Sequence, residues 1–378
     1  MILRNKDKER LERLISQFPV TGLLGARQTG KSTLARSMPY SHFFDLENPR
    51  DLQKLSEPQL LLEKLEGLIV IDEIQRIPNL FQLIRYLVDC NPNQRYLILG
   101  SASPDLIRQS SESLAGRIGY HILDGFSLAD VQYQMDALWL KGGFPRAFIS
   151  SEENSFTWRK NFLMTYLERD LPQLGITIPS ATIHRFWTML CHYHGQLLNA
   201  SELSRSFGIS DFMVRRYLEI LEGTYMIRLL QPWYSNVGKR IVKSPKIYIK
   251  DSGILHQLME IHNADQLLGW NKLGASWEGF AMEQTIGILQ KEQNEIYFWR
   301  THSGAELDLL WFSGGHSYGI EFKYGDAPGM TKSLTSSFQD LKLSKAWIVY
   351  PGDRSYSLTN YISVVPLRQV GEILNDIS

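Results

Sequence analysis

Short apolar runs dominate the first part of the chain, and each is followed by polar or glycine-rich sequence. Val20–Leu24 and Leu68–Ile71 are too short for buried helices and read as strands covered on both faces. "SHFFDLENP" and "QRYLILGSAS" add two further strands, and Ser32–Met38 has a helical period. The alternation predicts an α/β domain with a parallel sheet over residues 1–125. Residues 126–180 read as helices interrupted at "KGGFPRAF", where Gly142, Gly143 and Pro145 force a turn. In 181–250 a helix is followed by two more, with Ser201 and Ser210 as expected N-caps and Gly208 as the turn between them. That spacing, with the strand-like "YMIRLLQPW" and "PKIYIK", predicts a winged helix. From 251 to 378 the order becomes helix, three strands, helix and strand, which is the core order of a PD-(D/E)XK nuclease-like α/β domain.

Composition narrows the classes little. The chain has 378 residues, with 40 Lys plus Arg balanced by 40 Asp plus Glu, so net charge names no partner. No stretch reaches the ~18 apolar residues of a membrane span. The charged N-terminus lacks a signal-peptide core, and two cysteines give no disulfide framework, so a cytoplasmic protein is expected. Cys191 and His194 are spaced i, i+3 on a helix, but two ligands do not close a zinc site.

The most specific chemistry lies in "GARQTGKST". Gly25–Ser32 matches the G-x-x-x-x-G-K-S/T phosphate loop, entered by a strand and left by a helix. Gly25, Ala26, Arg27, Gln28, Thr29, Gly30, Lys31, Ser32 and Thr33 are therefore the expected nucleotide-binding residues. Lys31 would reach the β/γ-phosphates of ATP and Ser32 would ligate Mg²⁺. Asp72 and Glu73 end the strand of "LIVIDE", where α/β sheets present ligands. Asp72 would hold Mg²⁺ through water, and Glu73 would polarise the attacking water. A strand inserted between those of the phosphate loop and the Asp-Glu pair is the arrangement of ATPases with a catalytic glutamate. Ser101 is the candidate γ-phosphate sensor, and Arg117 a candidate arginine finger, in cis or towards a neighbouring subunit.

Together "GARQTGKSTL", "IDEIQRIPNL", "GSAS", "SLAGR", "GGFP" and "YLERDL" resemble the prokaryotic AAA-type ATP-binding proteins. Specifically they are similar to those carrying a C-terminal conserved domain of unknown function with a nuclease-like fold. The resemblance spans essentially the whole chain. Two positions depart from it: Ala26 replaces the usual Pro, and Leu99-Gly100-Ser101 replaces Thr-Gly-Ser.

Two further regions suggest partners. Residues 201–250 hold nine basic residues (Arg205, Arg215, Arg216, Arg228, Lys239, Arg240, Lys243, Lys246 and Lys250) against four acidic ones. Trp233, Tyr234 and Tyr248 interleave with them, so either DNA contact or an internal packing module is expected. In "SYGIEFKYGD", Glu321 and Lys323 share a strand face, and Asp308 on the preceding strand could lie beside Glu321. Asp308 and Glu321 would hold a second Mg²⁺ or Mn²⁺, with Lys323 polarising water. The resemblance adds Glu278 to that ligand set. DNA is the expected partner, with a protein target or self-association as the other; the competing reading is a regulatory protein whose C-terminal domain binds without cleaving.

Overall fold

A computed structural model describes residues 2–101, 112–234 and 242–377, except the side chain of Ser101. Lys239 and Arg240 lie outside the described residues. The chain divides into two compact units, residues 1–126 with 223–225, and residues 127–222 with 226–378.

The first unit is built on a five-stranded sheet of order β2-β3-β4-β1-β5. Its strands are β1 (Val20–Gly25), β2 (His42–Asp45), β3 (Gly67–Asp72), β4 (Gln94–Ser101) and β5 (Ile118–Ile122), all paired in parallel. Successive residues face opposite cores, as the two-sided burial of a parallel sheet requires. Val20, Ile69, Ile71, Tyr96 and Ile98 pack on one side with the Leu80–Cys90 helix. Leu23, Leu68, Val70, Leu97 and Leu99 pack on the other, with Leu11 from α1 (Asn5–Gln17) and Leu34 from α2 (Lys31–Arg36). The strand inserted between β1 and β3 is β4, whereas the "SHFFDLENP" strand β2 lies outside β3 at the sheet edge. Order in sequence and order in the sheet differ because parallel strands need crossover connections.

The second unit begins with helices Met135–Lys141 and Glu152–Thr165, and the latter runs into a π-helical turn at Tyr166–Asp170. Helices Ala200–Phe207 and Asp211–Gly223 flank Gly208, which takes the left-handed conformation at φ 67°. Asn199, rather than Ser201, caps the first of these, its side chain accepting from the Glu202 N–H at 3.1 Å. A small sheet of order β6-β8-β7 follows, from β6 (Gln196–Leu197), β7 (Ile227–Leu230) and β8 (Lys246–Ile249). A mixed six-stranded sheet completes the unit in the order β13-β14-β12-β11-β10-β9. It comprises β9 (Ile296–Arg300), β10 (Glu306–Ser313), β11 (His316–Phe322), β12 (Lys345–Tyr350), β13 (Tyr356–Ser357) and β14 (Ile362–Pro366). Helix Leu273–Leu289 precedes β9 and helix Lys332–Asp340 separates β11 from β12. No helix among the described residues is long and apolar enough to cross a membrane.

Candidate nucleotide site and a second charged cluster

The loop between β1 and α2 has the backbone a phosphate cradle needs. Gly25 sits at φ 150°, and a Cβ there would come within 2.3 Å of the Leu123 carbonyl oxygen. Gly30, at φ 97°, turns the chain into α2. Both positions therefore require glycine. Thr29 closes the loop internally, its hydroxyl donating to the Ala26 carbonyl at 3.0 Å. The Lys31 ammonium lies over the same loop, donating to the carbonyls of Gly25 and Ala26 at 3.0 and 2.7 Å. Only 6% of Lys31 is exposed, so its charge is held against the loop rather than in solvent.

β3 delivers its two carboxylates to the same end of the sheet. The Ser32 hydroxyl is hydrogen-bonded to the Asp72 carboxylate. Burial pushes the Asp72 pKa above its ordinary range; Glu73 and Asp45 push it further, against the Ser32 hydrogen bond and Lys31. A hydroxyl and a carboxylate are the hard oxygen donors suited to Mg²⁺, so the residues present fit that ion. Glu73 takes a left-handed backbone at φ 56°, and its N–H donates to Asp72 Oδ1 at 3.0 Å. Its own carboxylate accepts from the Gln75 side chain. Non-glycine residues in this conformation are uncommon and concentrate at functional sites. Arg27, Gln28 and Thr33 complete the loop segment, with Gln28 and Thr33 exposed.

Two other residues singled out in the sequence fare differently. The backbone of Ser101 pairs with Gly25 at the end of β4, adjacent to the phosphate loop. Arg117, in contrast, precedes β5, and its carbonyl accepts from the N–H of Val20, where β1 begins. It therefore lies at the opposite end of the strands from Gly25, about 17 Å away along the strand, and cannot reach the loop of its own chain. There it makes a forked pair with Asp89 at 2.6 and 2.8 Å.

Arg4 is a residue that the sequence did not reveal. Its guanidinium donates to the Thr29 carbonyl in the loop at 3.1 Å, and to Asp124 and Gly125 carbonyls at 2.9 and 3.0 Å. Asp7 holds it from α1 at 2.9 Å and also meets His121 of β5 at 2.8 Å. Three of these contacts join residues more than a hundred positions apart and the one to Thr29 spans 25, so no local pattern could signal them.

The second unit contains a separate cluster of charges. The register that pairs Leu309 with Ile320 brings Asp308 level with Glu321, as the strand period implies. A bulge in β10 between Leu307 and Leu310 occurs at this point, a device that re-aims side chains. The two carboxylates nevertheless take different partners. Asp308 accepts from the Phe322 N–H at 3.0 Å and meets Lys246 Nζ at 3.3 Å. Glu321 pairs with Lys323 at 2.8 Å and accepts from the Thr331 hydroxyl at 2.9 Å. Burial works against the charge on Lys323, but Glu321, Asp308 and Glu278 outweigh it and raise its pKa. Glu278 also meets Lys246, at 3.2 Å, and accepts from the Tyr248 hydroxyl at 2.5 Å. Burial, then the Asp308 charge, raises the Glu278 carboxyl to about 7. Among the described residues no group of three or more His, Cys, Asp or Glu is arranged to hold a metal ion. The expected ligands Glu278, Asp308 and Glu321 do not fit a metal in this arrangement, because the first two converge on an ammonium group and the third on Lys323.

The basic stretch also divides. Lys246 and Tyr248 are buried, and Arg228 is clamped by Glu283 at 2.5 and 2.8 Å, so none of the three belongs to a solvent-facing patch. Arg205, Arg215, Arg216 and Lys243 are exposed. Cys191 is fully buried and His194 Nδ1 accepts from the Ile249 N–H at 3.0 Å, which leaves neither poised as a zinc ligand.

Comparison with known proteins matches three successive segments of the chain. An "AAA domain" model matches residues 17–132. Two models described as domains of unknown function, DUF8612 and DUF4143, match residues 132–265 and 273–370. The uncharacterized proteins Rv2008c of Mycobacterium tuberculosis and Mb2031c of Mycobacterium bovis are each 47% identical over 378 residues, 98% of this chain and 85% of theirs. Among solved structures, the Walker-type ATPase PABY2304 of Pyrococcus abyssi is 16% identical with a TM-score of 0.45, covering 68% of this chain and 96% of its own. A point variant of RuvB from Thermotoga maritima is 16% identical with a TM-score of 0.30, covering 70% and 96%.

Proposed function

The chain belongs to one family with the mycobacterial proteins Rv2008c and Mb2031c and carries an AAA domain; on that premise we propose that it is an ATPase that hydrolyses Mg-ATP at the loop Gly25–Thr33. The observation that carries this reading is the convergence of Lys31, Ser32, Asp72 and Glu73 at one end of the parallel sheet, with Ser32 and Asp72 already hydrogen-bonded. Backbone N–H groups of the loop bind the phosphates, and Lys31 exchanges its two carbonyl acceptors for phosphate oxygens. Ser32 would ligate Mg²⁺ and Asp72 would hold it through water, and the ion would offset charge on the phosphates. Glu73 orients a water molecule and accepts its proton as the water attacks the γ-phosphorus, the bond to ADP breaking in the same displacement. Ser101, level with Gly25, is the sensor candidate; Arg117, held by Asp89 at the far end of the strands, has no part in this chain's own site.

Two variants test the assignment. Lys31→Ala should abolish ATP binding in an equilibrium titration. Glu73→Gln should bind ATP normally while turnover falls roughly a hundredfold or more. Undiminished affinity in the first, or full turnover in the second, would refute the corresponding role.

The second unit supplies the target-binding end of this reading. Helices Ala200–Phe207 and Asp211–Gly223 with β7 and β8 act as a winged helix that engages DNA through exposed Arg205, Arg215, Arg216 and Lys243. Phe212, 71% exposed at the start of the second helix, adds an aromatic surface to that face. The mixed sheet acts as a PD-(D/E)XK-like domain that binds without cutting, a form favoured by the neutralisation of its carboxylates within the chain.

A further inference from the structure

Buried carboxylates need a compensating positive charge, supplied either by an ion from solvent or by a side chain of the protein. In the second unit, β8 supplies it. Lys246 is 1% exposed, and its ammonium meets Glu278 at 3.2 Å, Asp308 at 3.3 Å and the Glu306 carboxylate more closely still. Each of the three carboxylates has a further donor. Tyr248 donates to Glu278 at 2.5 Å, the Phe322 N–H to Asp308 at 3.0 Å, and Arg300 to Glu306 at 3.0 Å.

From these contacts we infer that Lys246 is the resident cation of the carboxylate cluster and that no divalent metal ion binds at Glu278 and Asp308 while it is in place. A divalent ion would have to approach these oxygens to about 2.0–2.2 Å, with near-ideal geometry in the case of Mg²⁺. The ammonium already fills the point where they converge, and two cations cannot share it. The tether comes from outside the mixed sheet, since Lys246 lies 32 residues before Glu278 and 62 before Asp308. The three-stranded sheet thus completes the charge balance of the C-terminal domain. This conclusion depends on neither ATP turnover nor DNA contact, so failure of either leaves it standing.

Titration of the full, nucleotide-free chain with Mn²⁺, followed by the electron paramagnetic resonance of the unbound ion, tests the exclusion directly. Wild type and Asp308→Asn should bind the same number of ions. A tight ion present in wild type and missing in the variant would overturn the inference. Thermal melting of Lys246→Met supplies the converse. Its Tm should fall by roughly 10 °C, because carboxylates are left without a partner. Mn²⁺ should restore part of that loss while leaving the wild-type Tm unchanged. Equal Mn²⁺ effects on both chains, or no effect on either, would remove the ammonium from the role of a cation's stand-in. If Lys246→Met does not fold, the comparison of wild type with Asp308→Asn decides alone.

Discussion

Arg4 illustrates how one side chain outside a motif can set that motif's geometry. Its planar guanidinium reaches three carbonyls at once, one of them Thr29 in the phosphate loop. Asp7 fixes the guanidinium in turn, and only 8% of the Arg4 side chain is exposed. The carbonyl of Thr29 is oriented by this contact, and with it the peptide that carries the Gly30 N–H of the loop. Charge-assisted hydrogen bonds of this kind contribute about 1.5–3 kcal/mol. Arg4→Ala should therefore weaken binding of a fluorescent ATP analogue by roughly tenfold. Arg4→Lys should rescue it poorly, since a single ammonium cannot reproduce the fork. Unchanged affinity in the alanine variant would show that the loop holds its shape without α1.

At the scale of elements, the basic stretch 201–250 separates into structural and solvent-facing members. Arg228 projects from β7 into a buried fork with Glu283 of the Leu273–Leu289 helix, where both side chains are about nine-tenths covered. Removing either partner strands the other, at a cost of about 3–5 kcal/mol. In chemical denaturation, Arg228→Ala and Glu283→Ala should each destabilise the fold by about that amount. The double variant should lose markedly less than the sum. Arg215 and Arg216 should behave in the opposite way. Their alanine substitutions should leave stability within about 0.5 kcal/mol and reduce the salt dependence of duplex-DNA binding by about one log unit per phosphate contact. An unaltered salt slope in those two variants would favour the packing alternative. The contrast marks how far sequence reading extends. Period and turn chemistry made β1 to β4, the phosphate loop, the Asp-Glu pair and the order of helices and strands from Leu273 to Tyr350 legible, because each is written within about twenty neighbouring residues, whereas β5, β13 and β14 lie outside that reading. The partner of each charge was not. Lys246 and Arg228 look the same in sequence as Lys243 and Arg205, and only tertiary packing assigns them to carboxylates more than thirty positions away. The position of Arg117 needs the sheet itself, since only the parallel pairing of β5 with β1 puts the start of β5 at the end of the strands opposite the phosphate loop.

At the scale of the whole molecule, the second unit is joined across its modules by buried polar contacts rather than by apolar packing alone. Asp251, which caps the Ser252–Leu258 helix, accepts from the Gly143 N–H at 2.7 Å, and Arg159 donates to the carbonyls of Leu140 and Gly253 at 3.1 and 2.8 Å. His256 lies between the Leu140 carbonyl at 3.0 Å and the Ser276 hydroxyl at 2.8 Å, and Trp139 donates to that same hydroxyl at 3.0 Å. His194 accepts from the Ile249 N–H and so ties the Ser180–His192 segment to β8. Such links make helices, small sheet and mixed sheet depend on one another, and they carry a pH signature. Burial lowers the pKa of both His194 and His256 to about 3, from 6.5 in the unfolded chain. Below pH 6.5 the unfolded chain takes up protons that the folded chain refuses, so stability is complete above that value and declines as pH falls towards 3. At pH 5 the loss amounts to about 2 kcal/mol per ring. The denaturation midpoint of the second unit should accordingly drop between pH 6.5 and 5; near pH 5 the two rings take up close to two protons per unfolding event while Glu278, raised to about 7 in the folded chain, releases most of one, so the net uptake is nearer one. Substitution of His256 by Gln should lower stability at pH 7 but cut the uptake near pH 5 by about one proton. A profile with the same slope in wild type and variant would mean that the ring is protonated in the folded state, and that its contacts with Leu140 and Ser276 are charge-assisted hydrogen bonds rather than neutral ones.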